Sequence, residues 1–453
     1  MQFNPANYIT WIDWSLAFFY IAIITLFLWF WKSMKKGDDR AYDWFIPALL
    51  FKFFGGICIL MIYGYYYKGG DTYSYFENTK VLIRLSSEDA GAVARFLLGE
   101  NSPASWLKFT YDSGRPSFDL FSDGNAWAVS RFSFPFVVVG AGRILSSVIV
   151  LNTFAFIGPW KFFYFLNKRY PGFTKRIAVA VFFIPSCVFW GSGLYKDTFT
   201  LSATLWLFYS IMKIALEKKK VAVNLIMILF NAYVVISIKP YIFVALLPAA
   251  MIIFLYSSVQ SIRSKVLRVL ILPLSTVVVF VSGFSIYSSL STSLGRYGDM
   301  DVMMEKLVVT REDFINNKTY SSNFFDIGTF EPTLGGVLSK APIAFTYGLF
   351  GPFVWHVANP VMAISAIEGV VFLLLFLIAL RNILFRKGNL KVLSDPVIIG
   401  FLLFSVVFIV FVGISTANFG SMVRYRIPAL PLMIFALLFI QKKSKSNLNK
   451  VDV

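Results

Sequence analysis

Four short stretches of this chain set ionisable residues among glycines and aromatics beside long apolar runs. They are YYYKGGDTYSYF (65–76), GSGLYKDTF (191–199), SIKPY (237–241) and NFGSMVRYRIP (418–428). Charged groups at a membrane edge are costly and by default mark a function. Asp71 together with Lys196, Lys239, Arg424 and Arg426 suits a single chemistry. A carboxylate takes a proton from an attacking hydroxyl, while cations hold a phosphate-bearing partner.

Each patch also has a plainer reading. Gly69 and Gly70 allow a sharp turn and close approach to a ligand, and Asp71 follows them at the start of a possible helix. There it either caps the helix within an interfacial tyrosine belt, or acts as a general base with Tyr73 or Tyr75 stacked on a sugar ring. Asp197 either caps the helix it opens or joins a site, and Lys196 either snorkels to the headgroups or binds phosphate at a helix N-terminus. Lys239, in a turn with almost no other polar residue, points to an anion near the membrane surface. Arg424 and Arg426, flanking Tyr425, suit forked contacts with a phosphate or pyrophosphate, or else with a lipid headgroup. Arg143 is a further candidate, and Arg115 lies in a turn-rich stretch with Asp112, Asp119 and Asp123. Those three acids lack a regular spacing, so a divalent cation is possible in chemistry but not expected, and no cofactor is.

The rest of the composition narrows the choice. The single histidine, His356, reads as a packed interfacial residue, and no Cys/His cluster supports zinc or a Ser-His-Asp site. Cys58 and Cys187 both fall in apolar runs, so no disulfide is expected. A mean hydropathy of +0.69 with 50 Phe and 15% charged residues is too apolar for a water-soluble domain.

The elements that must position these residues are therefore membrane helices, each needing about 20 apolar residues. The sequence predicts an all-α, polytopic transmembrane helix bundle of about 11 spans. They lie near 10–31, 43–64, 136–158, 176–193, 198–216, 221–238, 241–256, 267–288, 361–380, 396–413 and 427–441. The first run lacks a basic leader and a small-residue cleavage pattern, so it reads as a retained helix. Residues 341–358 are apolar but interrupted by Gly351 and Pro352, which fits a re-entrant or interfacial segment at least as well as a span.

Basic residues gather in short cytoplasmic connections. Alternate connections and the tail hold 22 of the 42 Lys and Arg, whereas 65–134 holds seven basic against eight acidic residues. Residues 289–342 hold five against seven. The expected layout is one domain, 1–441, with the N-terminus outside, large extracytoplasmic loops at 65–134 and 289–342, and a basic cytoplasmic tail at 442–453. The net charge of +18 is then a topology signal, which leaves no reason to invoke nucleic acid. The first loop reads as folded: SSEDAGAVARFLLGE offers a serine cap and a closing Gly99, and SPASWLKFTYD a helix opening at Pro103, both expected on the outer membrane surface. DVMMEKLVVTREDFINN has helical periodicity in the second loop.

This layout resembles the C-class (GT-C) glycosyltransferases. G-G-D-T-x-x-Y at 69–75 and R-Y-R-x-P at 424–428 are similar to patterns in polytopic bacterial polysaccharide polymerases of the O-antigen and exopolysaccharide type. The resemblance implies a polyprenyl-linked sugar or oligosaccharide donor, a glycan or protein acceptor, surrounding membrane lipids, and a site on the outer face of a bacterial cytoplasmic membrane. No nucleotide is implied. It matches Asp71 to the catalytic acid and Arg424 or Arg426 to arginines that engage lipid pyrophosphate. The pair of spans before the acid departs from the C-class pattern, which has one. A flippase for the same lipid-linked glycans is the alternative, and it calls for charged groups along a path through the bilayer.

Overall fold

The computed structural model describes residues 4–37, 39–260, 300–316, 324–385 and 395–441. Among these the regular structure is helical, apart from one isolated bridge between Phe324 and Asn418. Among the described residues eight helices are long and apolar enough to cross a membrane: Trp11–Lys35, Arg40–Tyr66, Ile144–Arg169, Lys196–Glu217, Val221–Ile238, Pro360–Phe385, Pro396–Ser415 and Phe419–Gln441. The helix Pro240–Leu255 is apolar but shorter. The predicted span 267–288 and the tail 442–453 lie outside the described residues.

Two predicted spans are corrected. Across 136–158 the chain is apolar, yet it turns at Gly140–Gly142, where Ala141 (φ 56°) and Gly142 (φ 67°) leave the helical region. The long helix is Ile144–Arg169 instead. Across 176–193, Pro185 opens a new helix and splits the run into Thr174–Phe182 and Pro185–Trp190. Hydropathy averages over such breaks; backbone geometry does not. The interruption at Gly351 and Pro352 is present, and Leu334–Phe350 ends there.

The chain divides into two compact units. The first comprises Met1–Thr174, Phe182–Tyr209 and Ile226–Pro240. In it α1 (Trp11–Lys36), α2 (Phe45–Met61) and α8 (Ile144–Ala155) pack together. The loop 65–134 is a folded helical layer made of α3 (Asp71–Leu85), α4 (Ala90–Leu98), α5 (Pro103–Trp106), α6 (Phe118–Ser122) and α7 (Gly124–Val139). Its own core holds Leu82, Leu85, Phe96, Phe109, Phe121 and Trp127, with Phe96 and Phe109 stacked at 4.8 Å. Gly99 (φ 122°) closes α4 as its sequence suggests, but the cap is Asp89 rather than a serine. Pro103 opens α5 behind the Ser102 cap.

After α9 (Ile157–Arg169) come α10 (Thr174–Phe182), α11 (Pro185–Trp190), α12 (Lys196–Met212), α13 (Val221–Ile238) and α14 (Pro240–Gln260). Polar contacts tie the ends of the first unit's helices. Arg143 ahead of α8 meets Asp13 of α1 at 3.3 Å, and Asn125 of α7 donates to the Ser237 carbonyl of α13 at 2.9 Å. Tyr42, just before α2, packs against Tyr164 of α9 at 5.5 Å, and Lys168 lies over the Tyr164 ring at 4.5 Å.

The second unit, Lys175–Val181, Ser210–Leu225 and Tyr241–Val453, contains α15 (Met300–Asn316), α16 (Leu334–Phe350), α17 (Pro360–Phe385), α18 (Pro396–Ser415), α19 (Phe419–Tyr425) and α20 (Leu430–Gln441). The helical periodicity of DVMMEKLVVTREDFINN is realised in α15. Helices α16 and α18 approach closely through small residues. A Cβ at Gly348 would lie 2.8 Å from Ile409, and one at Gly413 would collide with the Ala344 carbonyl. Ala344 and Gly348 are one turn apart, as are Ile409 and Gly413, so the two helices interlock backbone to backbone.

Gly348→Leu should therefore cost about 1–3 kcal/mol or more through overpacking. Gly335→Leu, whose nearest neighbour would be Thr333 Oγ1 at 4.0 Å, should change stability by no more than about 0.5 kcal/mol. Thermal unfolding of the two variants in detergent would check this, and equal midpoints would refute the interlock.

Candidate functional site

The site is built on a gap in secondary structure. Between α11 and α12, residues 191–195 are buried and non-helical. Buried non-helical backbone survives only where its polar groups are met inside the protein. Here every carbonyl from 191 to 193 receives a side-chain donor. Lys52 Nζ of α2 donates to Gly191 O at 2.5 Å, Asn152 Nδ2 of α8 to Ser192 O at 2.7 Å, and Thr198 Oγ1 to Gly193 O at 2.6 Å. The close approach of α2 requires Gly56, whose added Cβ would lie 2.6 Å from Asn152 Nδ2.

That pinned segment delivers Lys196 and Asp197 at the start of α12. Asp197 is fully buried, and its carboxylate meets Lys239 Nζ at 2.5 Å, with side-chain exposures of 0% and 4%. Lys196 points the other way and meets Asp123 Oδ2 at 3.5 Å, where the exposures are 20% and 50%. Asp123 Oδ1 accepts from the Asn125 N–H at 3.0 Å, capping α7. GSGLYKDTF and SIKPY, 42 residues apart at the Asp197–Lys239 contact, thus form one cluster with the end of the first loop.

The GGD patch borders it. Lys68 (φ 53°), Gly69 (φ 125°) and Gly70 (φ 123°) reverse the chain, and Gly70 precedes α3 as its cap. Asp71 is the first helical residue, half-buried, rather than the cap itself. A Cβ at Gly70 would lie 2.7 Å from the ring of Tyr63, which packs edge-on against Tyr195 at 5.6 Å. One tyrosine ring therefore touches both the turn before Asp71 and the residue before Lys196.

Several predicted site residues are placed differently. Tyr73 and Tyr75 are 2% and 3% exposed, so neither offers a face for a sugar. Tyr73 donates to Leu60 O at 2.9 Å, and burial pushes its phenol above the ordinary range. Lys239 is neutralised by Asp197 inside the protein rather than presented to an anion. Arg115 packs its guanidinium over Trp106 at 5.0 Å and donates to Phe109 O at 3.3 Å. Arg143 is held by Asp13 at 3.3 Å.

In the second unit Arg424 and Tyr425 are half-buried, but Arg426 is fully buried. Its Nη1 donates to Gly348 O, Leu349 O and Gly351 O at 3.1, 2.9 and 2.8 Å, and its Nη2 to Glu368 Oε1 at 3.4 Å. Arg426 thus binds carbonyls at the C-terminus of α16, where a cation complements the helix dipole. Arg311 of α15 does similar work, donating to Thr416 O at 2.8 Å and Phe325 O at 3.1 Å beside Asp326. The Asp326 carboxyl is held below its ordinary value, chiefly by the Gly328 N–H and also by Arg311. Its contribution to stability is therefore present above the unfolded carboxylate range and lost as pH falls through the lower folded value.

Lys52, Asn152, Arg311 and Glu368 carry this framework and go unnoticed in the sequence reading. The available signal was a lone charge inside an apolar run, FKFFGG for Lys52 and SAIEGV for Glu368. Among the described residues no group of three or more His, Cys, Asp and Glu is arranged to hold a metal ion. Comparison with known protein families, curated proteins and solved structures returns no match.

Removing one partner of the buried pair strands a charge. Asp197→Asn should cost about 3–5 kcal/mol, while the double variant Asp197→Leu/Lys239→Met should recover most of that loss. Thermal unfolding of both would test it, and a double variant as unstable as the single would show that the pair is not self-contained.

Proposed function

We propose that the chain is an integral membrane glycosyltransferase or polysaccharide polymerase. It takes a sugar or oligosaccharide from a polyprenyl phosphate or pyrophosphate and passes it to an acceptor hydroxyl on a glycan or protein. The observation that supports this best is the junction at Tyr63, which borders both the Gly70–Asp71 turn and the Tyr195–Lys196 end of the pinned segment. The reading also rests on the resemblance in G-G-D-T-x-x-Y and R-Y-R-x-P.

In this reading Asp71 accepts the proton of the acceptor hydroxyl as its oxygen forms the new glycosidic bond. The bond from the anomeric carbon to the donor phosphate breaks, and the electron pair leaves on the phosphate oxygen. Lys196 and the dipole of α12 stabilise that charge. Asp197 and Lys239 hold Lys196 in place rather than touching the donor. Arg424 and Tyr425 are proposed as a separate contact for a lipid phosphate on the second unit. Arg426, occupied by carbonyls and Glu368, supports the backbone beside them. The reading sets Asp71 and Lys196 on the outer face with the C-terminus inside, an orientation supported by the distribution of lysine and arginine, while the resemblance supports a bacterial cytoplasmic membrane.

Transport of the same lipid-linked glycans is the second reading. Lys52 and Glu368 lie buried within spans, and α11 and α12 form a discontinuous helix, as in many transporters. Both charges, however, are engaged in holding backbone or a partner, which favours the enzyme.

Purified protein in liposomes with radiolabelled polyprenyl-linked sugar separates the readings. Asp71→Asn should reduce product by about 100-fold or more, the span of a lost general base. Arg424→Ala should weaken donor binding more than Arg381→Ala on the exposed end of α17. Normal glycan output from Asp71→Asn would remove the acid's role, and protein-dependent movement of labelled lipid between leaflets without product would make transport the function.

A further inference from the structure

Two lysine–carboxylate pairs sit side by side at the start of α12, and they differ in kind. Lys239–Asp197 is short and buried, and breaking it would leave an uncompensated charge inside the protein. Lys196–Asp123 is 3.5 Å long with half of the Asp123 side chain exposed. Pairs of that type are worth about 0.2–1 kcal/mol. Only the second can exchange partners at a ligand's expense.

The geometry says which member moves. Asp123 is anchored, because its Oδ1 caps α7 through the Asn125 N–H at 3.0 Å and leaves Oδ2 toward Lys196. Lysine carries its charge on a flexible four-carbon stem with rotatable donors. Lys196 also stands at the N-terminus of a 17-residue helix, where the dipole favours an arriving anion.

We propose that Asp123 is the resting counter-ion of Lys196 and that the phosphate of a lipid-linked donor displaces it, so that Asp123 sets donor affinity by competition. This rests on reading Lys196 as the phosphate ligand. A phosphate outcompetes the carboxylate because it offers more acceptor oxygens and stronger charge-assisted bonds. The fixed Lys239–Asp197 pair keeps the helix start in place while Lys196 swings. A neutral lipid would leave the resting pair closed, so the device selects for phosphate-bearing lipid.

The test uses a polyprenyl monophosphate titrated into the full-length protein in nanodiscs of zwitterionic lipid. Asp123→Asn removes the competing charge but keeps an oxygen that caps α7. It should bind the probe about two- to five-fold more tightly, the factor that corresponds to a lost exposed pair. Asp119→Asn, an exposed acid on the same loop, should leave affinity unchanged. Lys196→Met should weaken binding about tenfold or more, and adding Asp123→Asn to it should bring no tightening. If Lys196→Met binds weakly but Asp123→Asn matches the wild type, the competition is overturned and the phosphate reading stands. If Lys196→Met binds like the wild type, both fall. Asp123→Ser, which also caps but carries no charge, should reproduce Asp123→Asn, and a contrary result would overturn the proposal.

Discussion

Three carbonyls in a stretch without helical hydrogen bonds constrain the first unit more than any other feature. At Gly191, Ser192 and Gly193 the backbone cannot satisfy itself, and lipid cannot help. Lys52, Asn152 and Thr198 supply the donors, each from a different place in the chain. Much of the local architecture follows. Helix α2 carries glycines where it approaches α8 and α11, α8 carries an asparagine facing α2, and α12 begins where its first residues can serve the gap. The charged residues at the candidate site emerge from that repaired break.

The second unit solves a related problem with a guanidinium. Arg426 gathers three carbonyls at the end of α16 while Glu368 balances its charge. Both units thus use a buried cation to end a helix inside an apolar environment. In both, the price is a charge that cannot be withdrawn without exposing several polar groups at once. Groups committed in this way, Lys52 and Arg426, make poor ligands.

Much of this was legible in the sequence. The helical class, the apolar helices long enough to cross a membrane and the folded first loop all follow from apolar runs and caps. Direction was not legible. The sequence sets Tyr75 and Arg426 beside apolar runs, but whether a side chain faces inward depends on neighbours far along the chain. Tyr75 belongs to a helix packed against α7, and Arg426 faces carbonyls about 75 residues upstream. The turn at 140–142 was hidden because glycine and alanine are apolar enough to leave a hydropathy window intact. Lys52 was hidden because one charge scarcely lowers the average of a long span.

The first helix has a different relation to its surroundings. Only 6% of the apolar window of α1 is buried against the rest of the protein. Between Asp13, held by Arg143, and Lys32 its uncharged stretch is residues 14–31, or about 27 Å of helix. A hydrocarbon core is about 30 Å thick. Local thinning of the bilayer, or a Lys32 side chain extended toward the headgroups, meets so small a mismatch. Tyr20 adds a second tether by donating to the Val139 carbonyl at the end of α7. Because α7 also carries Asp123 at its other end, a helix whose apolar face is left to its surroundings is joined through one further helix to the residue beside Lys196.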